Sequence, residues 1–499
     1  MAQYFLGIDA GTTVIKAVLF NEEGNVVQES SRENEIIFLK DGGAEIDLEI
    51  YWHKVSACVR QTVEASKVNK NEIKALAISA NGVTFMPVDK SGNPLRKAFS
   101  YLDERGAEET RELIKEFGQE KLFYHTGHPH ILPIIVAVKT LWMKHHEPDI
   151  FNRFYKLVMV DDYLMFKLTG VFVTDPSLAG TTGFVKLHNR DYYKETMEYI
   201  GITEKRLCKI KQSGTAIGNV QSSIASELGL SEKTLVVCGA LDQAAGCIGS
   251  GNITTGILTE CTGTVLALNA TVNEPLIDVH HPIPCFCHAV PEKYIMLPWC
   301  LSGGRVLKWF RDEFFQSGSI QSKTSYSDII KLTESIPAGS EGLLMLPHLA
   351  GANSPEFNEQ ARGVFFNIDV RHTRAHFVRA ILESIGYMLR RNVEMLRSLE
   401  LPSSMIRAIG GGARSRTWNQ IKADILQIPV TTCEVEEAAA LGAAVLAAVG
   451  SGYFASIEEG CKHFVRFNET FEPDKNKANI YDDCYNNYVK LYERVENLF

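Results

Sequence analysis

Short apolar runs alternate with turn residues at the start of the chain. Tyr4-Phe5-Leu6-Gly7-Ile8-Asp9 reads as a strand, Gly11-Thr12-Thr13 as a turn, and residues 14–20 as the returning strand. A second turn at residues 21–25 leads into a third strand at 26–30, so a three-strand meander opens the chain. A helix with a polar face follows at about 49–66, then strands at 73–78 and 85–88. The second half starts the same way, with a strand at 256–261, the turn Thr262-Gly263-Thr264 and a returning strand at 265–270. This echo is one of shape rather than identity. It predicts two related domains, with the small residues 244–256 as connector or hinge.

Residues 376–399 carry the clearest helical period. Phe377, Ile381, Ile385, Met388, Leu389, Leu396 and Leu399 fall three and four apart, and Arg379, Glu383, Arg390, Arg391 and Arg397 fill other positions. A strand at 405–409 then runs into Gly410-Gly411-Gly412-Ala413, and a helix follows at about 415–427. Antiparallel strands followed by alternating helices and strands indicate an α/β fold.

A chain of 499 residues is too long for one hydrophobic core. Two large domains are expected, at 1–247 and 248–499. The net charge of −9 argues against a nucleic-acid partner or an anionic membrane, either of which wants a basic face. No apolar run approaches the roughly 20 residues that span a bilayer. The richest stretch, residues 438–449, reads as a buried helix of small residues. The N-terminus enters a strand pattern at once, without the basic region and apolar core of a signal peptide. The eleven scattered cysteines suit reduced thiols, so a cytoplasmic location is expected. Cys285-Phe286-Cys287-His288 has no second Cys/His pair at zinc spacing, and its two cysteines read as buried thiols on one face of a strand.

Asp242 ends an apolar run, Val236-Val237-Cys238-Gly239-Ala240-Leu241, and small residues follow it. A carboxylate in that position can take the proton of an acceptor hydroxyl, and Gln243 can hold a neighbouring hydroxyl. The alternative is an ordinary helix-capping aspartate. Gly11-Thr12-Thr13 and Thr262-Gly263-Thr264 each offer a tight turn with inward N–H groups and hydroxyl donors, as a phosphate nest requires. Each alone also reads as a plain β-turn. Asp9, at a strand end, can hold Mg²⁺ through water. The glycines 410–412 let a flat ligand such as adenine lie against backbone. Neither a dinucleotide G-x-G-x-x-G fingerprint nor a Walker A loop is present.

These pieces, in this order, resemble the FGGY family of carbohydrate kinases, relatives of actin, over almost the whole chain. Asp161-Asp162-Tyr163-Leu164 with Leu168-Thr169-Gly170 is similar to the family's K-D-Y-L-x-x-x-L-T-G segment. Val173-Thr174-Asp175-Pro176-Ser177 and Ser213-Gly214-Thr215 follow it as they do in the family. Lys139-Thr140-Leu141-Trp142 is similar to the core of the first signature. Gly363-Val364-Phe365-Phe366-Asn367-Ile368, with His376-Phe377 and Ala380-Ile381-Leu382-Glu383, resembles the second. Asn367 replaces a glycine there, and Asn tolerates left-handed geometry better than most residues. Glu436-Glu437 and the run Ala438 to Ala444 match the closing small-residue helix.

The resemblance implies two actin-like, ribonuclease H-like ATPase domains, with ATP and sugar meeting in the cleft between them. It implies Asp242 as catalytic base and Asp9, Gly11, Thr12 and Thr13 at the first phosphate turn. Thr262 and Gly263 then belong to the second turn, and Gly304, Gly411 and Gly412 lie near the nucleotide. Asn81 and Gly82-Val83 stand where family members carry substrate contacts. Glycerol kinases have an Arg-Glu pair at that point, so glycerol is disfavoured. Asp103 and Arg105 resemble the W-N-D-x-R segment of the xylulokinase branch, which makes Asp103 an expected acceptor of sugar hydroxyls. The implied activity is ATP- and Mg²⁺-dependent phosphorylation of a small ketose or polyol, in a family where homodimers are common. Alternatives are another sugar or sugar-acid kinase, such as one for gluconate or an L-ketopentose, and an actin-like ATP-binding protein that works by conformational change.

Overall fold

The opening meander forms as the alternation predicts. β1 (Tyr4–Ala10), β2 (Val14–Asn21) and β3 (Val26–Glu33) pair antiparallel in sequence order. β4 (Ile73–Ala80) runs parallel to β1. β5 (Ala216–Asn219) is antiparallel to β6 (Leu235–Leu241), which is itself parallel to β4. The sheet order is β5-β6-β4-β1-β2-β3. The parallel centre is apolar on both faces, as a strand covered on both sides must be. Leu6, Ile8, Leu76, Ile78 and Val236 pack into one core with Tyr51, Val55 and Val59 of the Leu48–Ser66 helix.

Strand alternation puts Gly7 on the opposite face. There the Ala438–Gly450 helix lies against the backbone, since a Cβ on Gly7 would stand 2.0 Å from the Ala440 carbonyl oxygen. The same helix meets the Asp242–Gly249 helix backbone to backbone. A Cβ on Gly442 would lie 1.9 Å from the Ala245 oxygen, and one on Gly249 1.8 Å from that of Ala438. Residues 244–249, expected as part of a connector, therefore form a buried helix. Their small side chains serve close packing rather than flexibility.

The computed structural model describes residues 2–315 and 324–499. They divide into two compact units that interleave along the chain. The first comprises residues up to Ile253 with Thr271–Met296 and Glu437–Arg466; the second comprises Thr254–Ala270, Leu297–Glu436 and Phe467–Phe499.

In the second unit β7 (Gly256–Thr262) and β8 (Leu266–Val272) form the predicted hairpin. β9 (Ser403–Ile409) is parallel to β7, β10 (Val430–Cys433) is parallel to β9, and β11 (Phe467–Phe471) is antiparallel to β10. The order β8-β7-β9-β10-β11 repeats the directions of β2-β1-β4-β6-β5, so the echo in the sequence is a repeat of topology. Both units have the ribonuclease H-like arrangement that the resemblance implies.

The long helix runs Arg374–Ser398, and two of its charged residues are not at the surface. Arg379 Nε lies 2.7 Å from Glu383 Oε1, and Arg379 Nη2 donates to the Tyr481 hydroxyl at 2.7 Å. Glu383 also accepts from Gly339 N and Ser340 Oγ. Their burial is tolerated because each charge is paired and hydrogen-bonded. Asn367 adopts a left-handed φ of 62°, as its replacement of glycine suggests. Cys285 and Cys287 are buried free thiols on a short strand, Cys285–Cys287.

Candidate active site

Three parallel strands of the first unit end side by side. Ala10 of β1 and Leu241 of β6 both stand in register with Ala80 of β4. Gly11, Asn81 and Asp242 therefore emerge together at the carboxyl edge of the sheet, where open α/β sheets bind ligands.

Asp242 is the first residue of the Asp242–Gly249 helix. It does not act as a helix cap, because the capping position is Leu241. Its Oδ1 accepts the Gln243 N–H at 2.7 Å. The side chain is half-buried, and burial together with the negative charge of Asp9 pushes its carboxyl up to about 7. Asp9 is also half-buried, and its Oδ1 accepts from Ser79 Oγ at 3.3 Å. Burial pushes its carboxyl up to about 6, against the pull of Lys16.

Lys16 is a site residue that the sequence reading missed. The β1–β2 hairpin pairs it directly with Asp9, and its ammonium bridges to Glu437. Hairpin register would have found it, since the turn fixes which residue of β2 faces Asp9.

The turn after β1 is held from behind. Tyr51 donates to Gly11 O at 2.8 Å, while Asn34 donates to Thr12 O through its side chain at 2.9 Å and to Thr13 O through its backbone at 2.7 Å. Those carbonyls are thereby occupied; Thr12 is half-buried and Thr13 exposed. Asn81 is 6% exposed, and its Nδ2 donates to Ala10 O at 3.4 Å. Gly82 lies tight against neighbours, since a Cβ there would stand 3.0 Å from Leu241 Cδ1 and 3.2 Å from Thr181 Oγ1. Val83 holds a φ of 56°, an unfavourable conformation for a β-branched residue. Asp9, Gly11, Thr12, Thr13, Asn81, Gly82, Asp242 and Gln243 thus share one edge of the sheet.

Asp103 does not join them, and its expected role with sugar hydroxyls is corrected. It is fully buried, and its carboxylate takes Lys139 Nζ at 2.7 Å, Arg105 Nη2 at 2.5 Å and the Ala44 N–H at 3.0 Å. Although burial opposes it, Arg105 and Lys139 hold the carboxyl below its ordinary range. It anchors its own loop and has no oxygen to spare.

In the second unit, Thr262 also departs from expectation. Its hydroxyl turns inward and donates to Glu260 Oε1, and Lys422 Nζ lies 2.8 Å from Glu260 Oε2. The Thr262 hydroxyl is thus taken, while Gly263 and Thr264 of the same turn are exposed. The turn is closed by Gly263 N to Val265 O at 3.0 Å, and Gly263 O accepts Gly304 N at 2.8 Å. Gly304 starts the Gly304–Phe314 helix. Gly412 packs on Thr262, where a Cβ would come within 2.7 Å of the threonine Cβ, so this glycine is needed for the close approach. A Cβ on Gly411 would meet nothing nearer than 4.0 Å, so here the backbone stays approachable. Thr262, Gly263, Gly304, Gly411 and Gly412 converge on one place within this unit.

A second group of acids lies in the interior of the first unit. Asp161, Asp162 and Asp175 are buried, and burial pushes all three carboxyls up, Asp162 to about 7 and Asp175 to about 6. The unfolded value is about 4. Protonated Asp162 is therefore favoured in the folded state. The stability it contributes is fully present below about pH 4 and is lost once the pH has risen through about 7. Across that window the wild type should lose stability relative to Asp162→Asn by up to about 1.4 kcal/mol per pH unit. Urea unfolding of both proteins between pH 5 and pH 8 measures the difference, and parallel pH profiles would contradict it.

Comparison with known proteins bears on what this arrangement does. A model of the FGGY family of carbohydrate kinases matches the chain in two parts, the family's N-terminal domain over residues 4–249 and its C-terminal domain over residues 260–451. A xylulose kinase of Staphylococcus epidermidis is 31% identical over 493 residues, which cover 99% of this chain and 97% of that protein. A gluconokinase of Bacillus subtilis is 29% identical over 507 residues, covering 100% of this chain and 97% of that one. The crystal structure of a gluconate kinase from Lactobacillus acidophilus superposes with a TM-score of 0.91 at 25% identity, over 99% of this chain and 98% of that chain. Among the described residues no helix is long and apolar enough to cross a membrane.

Proposed function

The chain belongs to the FGGY family of carbohydrate kinases, and on that premise we propose that Asp242 is the general base in transfer of the γ-phosphoryl of ATP to a hydroxyl of a small ketose. The observation that carries this reading is the placement of Asp242 at the sheet edge, beside Asp9 and next to the turns at Gly11 and Asn81. The Asp242 carboxylate accepts the hydroxyl proton as the sugar oxygen bonds to phosphorus and the bond from phosphorus to the ADP oxygen breaks. A carboxyl with a value near 7 can hold that proton and then release it.

The backbone and hydroxyls of Gly11, Thr12 and Thr13, with Lys16, hold phosphate from the first unit. Within the second unit, the backbone at Thr262 and Gly263 offers a second phosphate turn, and Gly304, Gly411 and Gly412 leave room for a nucleoside. Asn81, Gly82 and Gln243 contact the acceptor.

Mg²⁺ fits the donor set. Asp9 and Asp242 are accessible carboxylates that repel each other, and among the described residues no cluster of three His, Cys, Asp or Glu could form a complete cage. A partial protein shell suits a cation that keeps several waters and arrives with nucleotide phosphates. Asp9 would hold it through water, and its charge would neutralise that of the phosphates.

A neutral acceptor is favoured over a sugar acid. Two carboxylates already face this edge, and the Lys16 ammonium beside Asp9 is shared with Glu437. ADP release measured over pentuloses, hexuloses, polyols and aldonates tests this. A ketopentose should stimulate release well above the rate with water, and gluconate should not. Stimulation by gluconate alone would give the acceptor to the sugar acids named for two of the relatives.

A further inference from the structure

We propose that Asp175 and Ser177 form a clamp that positions Asp242, a role that rests on Asp242 being the base. β6 does not run straight to its end. Its register against β4 breaks between Val237 and Ala240, and Cys238 gives its backbone bonds to the 214–215 segment, accepting from Gly214 N at 2.9 Å and donating to Thr215 O at 2.8 Å. A bulge of this kind re-aims the residues beyond it. The strand end that carries Asp242 therefore needs fixing by something other than the ladder alone.

Ser177 supplies that fixing point. The Leu241 N–H, one residue before Asp242, donates to Ser177 Oγ at 2.9 Å. Ser177 Oγ in turn donates to Asp175 Oδ1. That oxygen also accepts Ser177 N at 2.8 Å, Leu178 N at 3.2 Å and Ser213 Oγ at 3.3 Å. Asp175 is thus held by several donors at once. Because it takes the serine proton, it leaves a serine lone pair facing Leu241. Both side chains are fully buried. They bring little apolar surface to the core, and burying polar groups costs stability unless they are paired.

The same segment reaches the acceptor turn. Thr181 Oγ1 stands 3.2 Å from the place a Cβ on Gly82 would occupy, and Leu241 Cδ1 stands 3.0 Å from it. Residues 175–181 therefore touch both the strand end that carries the base and the turn that carries Asn81, and fix one relative to the other. Misplacing a catalytic group by about 1 Å can cost about a hundredfold in rate.

Steady-state kinetics of Ser177→Ala, Ser177→Thr, Asp175→Asn and Asp242→Ala in the full chain test this, each assayed well below its own melting temperature. Ser177→Ala should lose about tenfold to a hundredfold in kcat, with KM for ATP and for the ketose changed less than about twofold. Ser177→Thr, which keeps the hydroxyl, should recover most of that loss. Asp175→Asn keeps the shape and should lower kcat in the same way, so it decides the matter if Ser177→Ala does not fold. Wild-type kcat in Ser177→Ala or Asp175→Asn, or a loss carried by KM, overturns the clamp while inactive Asp242→Ala leaves the base in place. Wild-type turnover in Asp242→Ala overturns both.

Discussion

Asp242→Ala should lower kcat by about 10²–10⁴-fold, the range general acid–base groups contribute, while ATP affinity stays near wild type. The carboxylate is the proton acceptor in the proposed step, and the phosphate turns at Gly11–Thr13 and Thr262–Gly263 hold nucleotide without it. The same change should not destabilise the protein. Asp242 has its carboxyl pushed up by burial and by Asp9, so its ionised form is disfavoured where it sits. Removing it takes away a strained charge rather than a support, a trade between stability and function common at active sites. ADP release, nucleotide titration and thermal unfolding on one preparation measure all three. A folded, ATP-binding, inactive protein is the expected outcome, whereas wild-type turnover would remove Asp242 from the chemistry. Asp242→Asn should behave like the alanine variant, because the amide keeps the shape but cannot take the proton.

The parts of this picture that were legible in the sequence are local ones. β1, β2, β7 and β8 follow from alternation over a few residues, and the Arg374–Ser398 helix from spacing over seven turns. The position of Asp242 was legible too, because an apolar run that ends in a carboxylate marks a strand end, and β6 does end at Leu241. The errors concern side-chain partners that the fold supplies, several of them far away along the chain. Asp103 looked free for a sugar hydroxyl, but Lys139, 36 residues on, occupies it. Thr262 looked like a phosphate donor, but its hydroxyl serves Glu260, whose cation Lys422 is 162 residues away. The small residues after Asp242 looked like a hinge because the helix that packs on them begins at Ala438. Composition shows which groups could bond, and only the fold decides which of them are already taken.

That dependence makes Lys422→Met a strongly destabilising substitution. Lys422 and Glu260 are both fully buried, and Lys422 Nζ is 2.8 Å from Glu260 Oε2 and 3.3 Å from Thr262 Oγ1. The Trp418 ring lies 4.9 Å from the ammonium. Methionine fills nearly the same volume, so little packing is lost and the charge is what changes. An unpaired carboxylate is then left in the interior, and breaking a buried pair from one side costs about 3–5 kcal/mol. Replacing both partners is a different matter, because well-packed apolar substitutes for a whole buried pair are often neutral. Lys422→Met/Glu260→Leu should therefore regain most of the stability that Lys422→Met loses, although it carries one more substitution. Urea unfolding monitored at the second unit reads both variants. If the double variant were less stable than the single one, the loss would lie in packing around Trp418 and not in the abandoned charge. The double variant also frees the Thr262 hydroxyl from its inward bond, so its KM for ATP shows whether that bond shapes the phosphate turn. A raised KM with stability restored would show that the buried pair is kept for the geometry of the turn rather than for the stability of the fold.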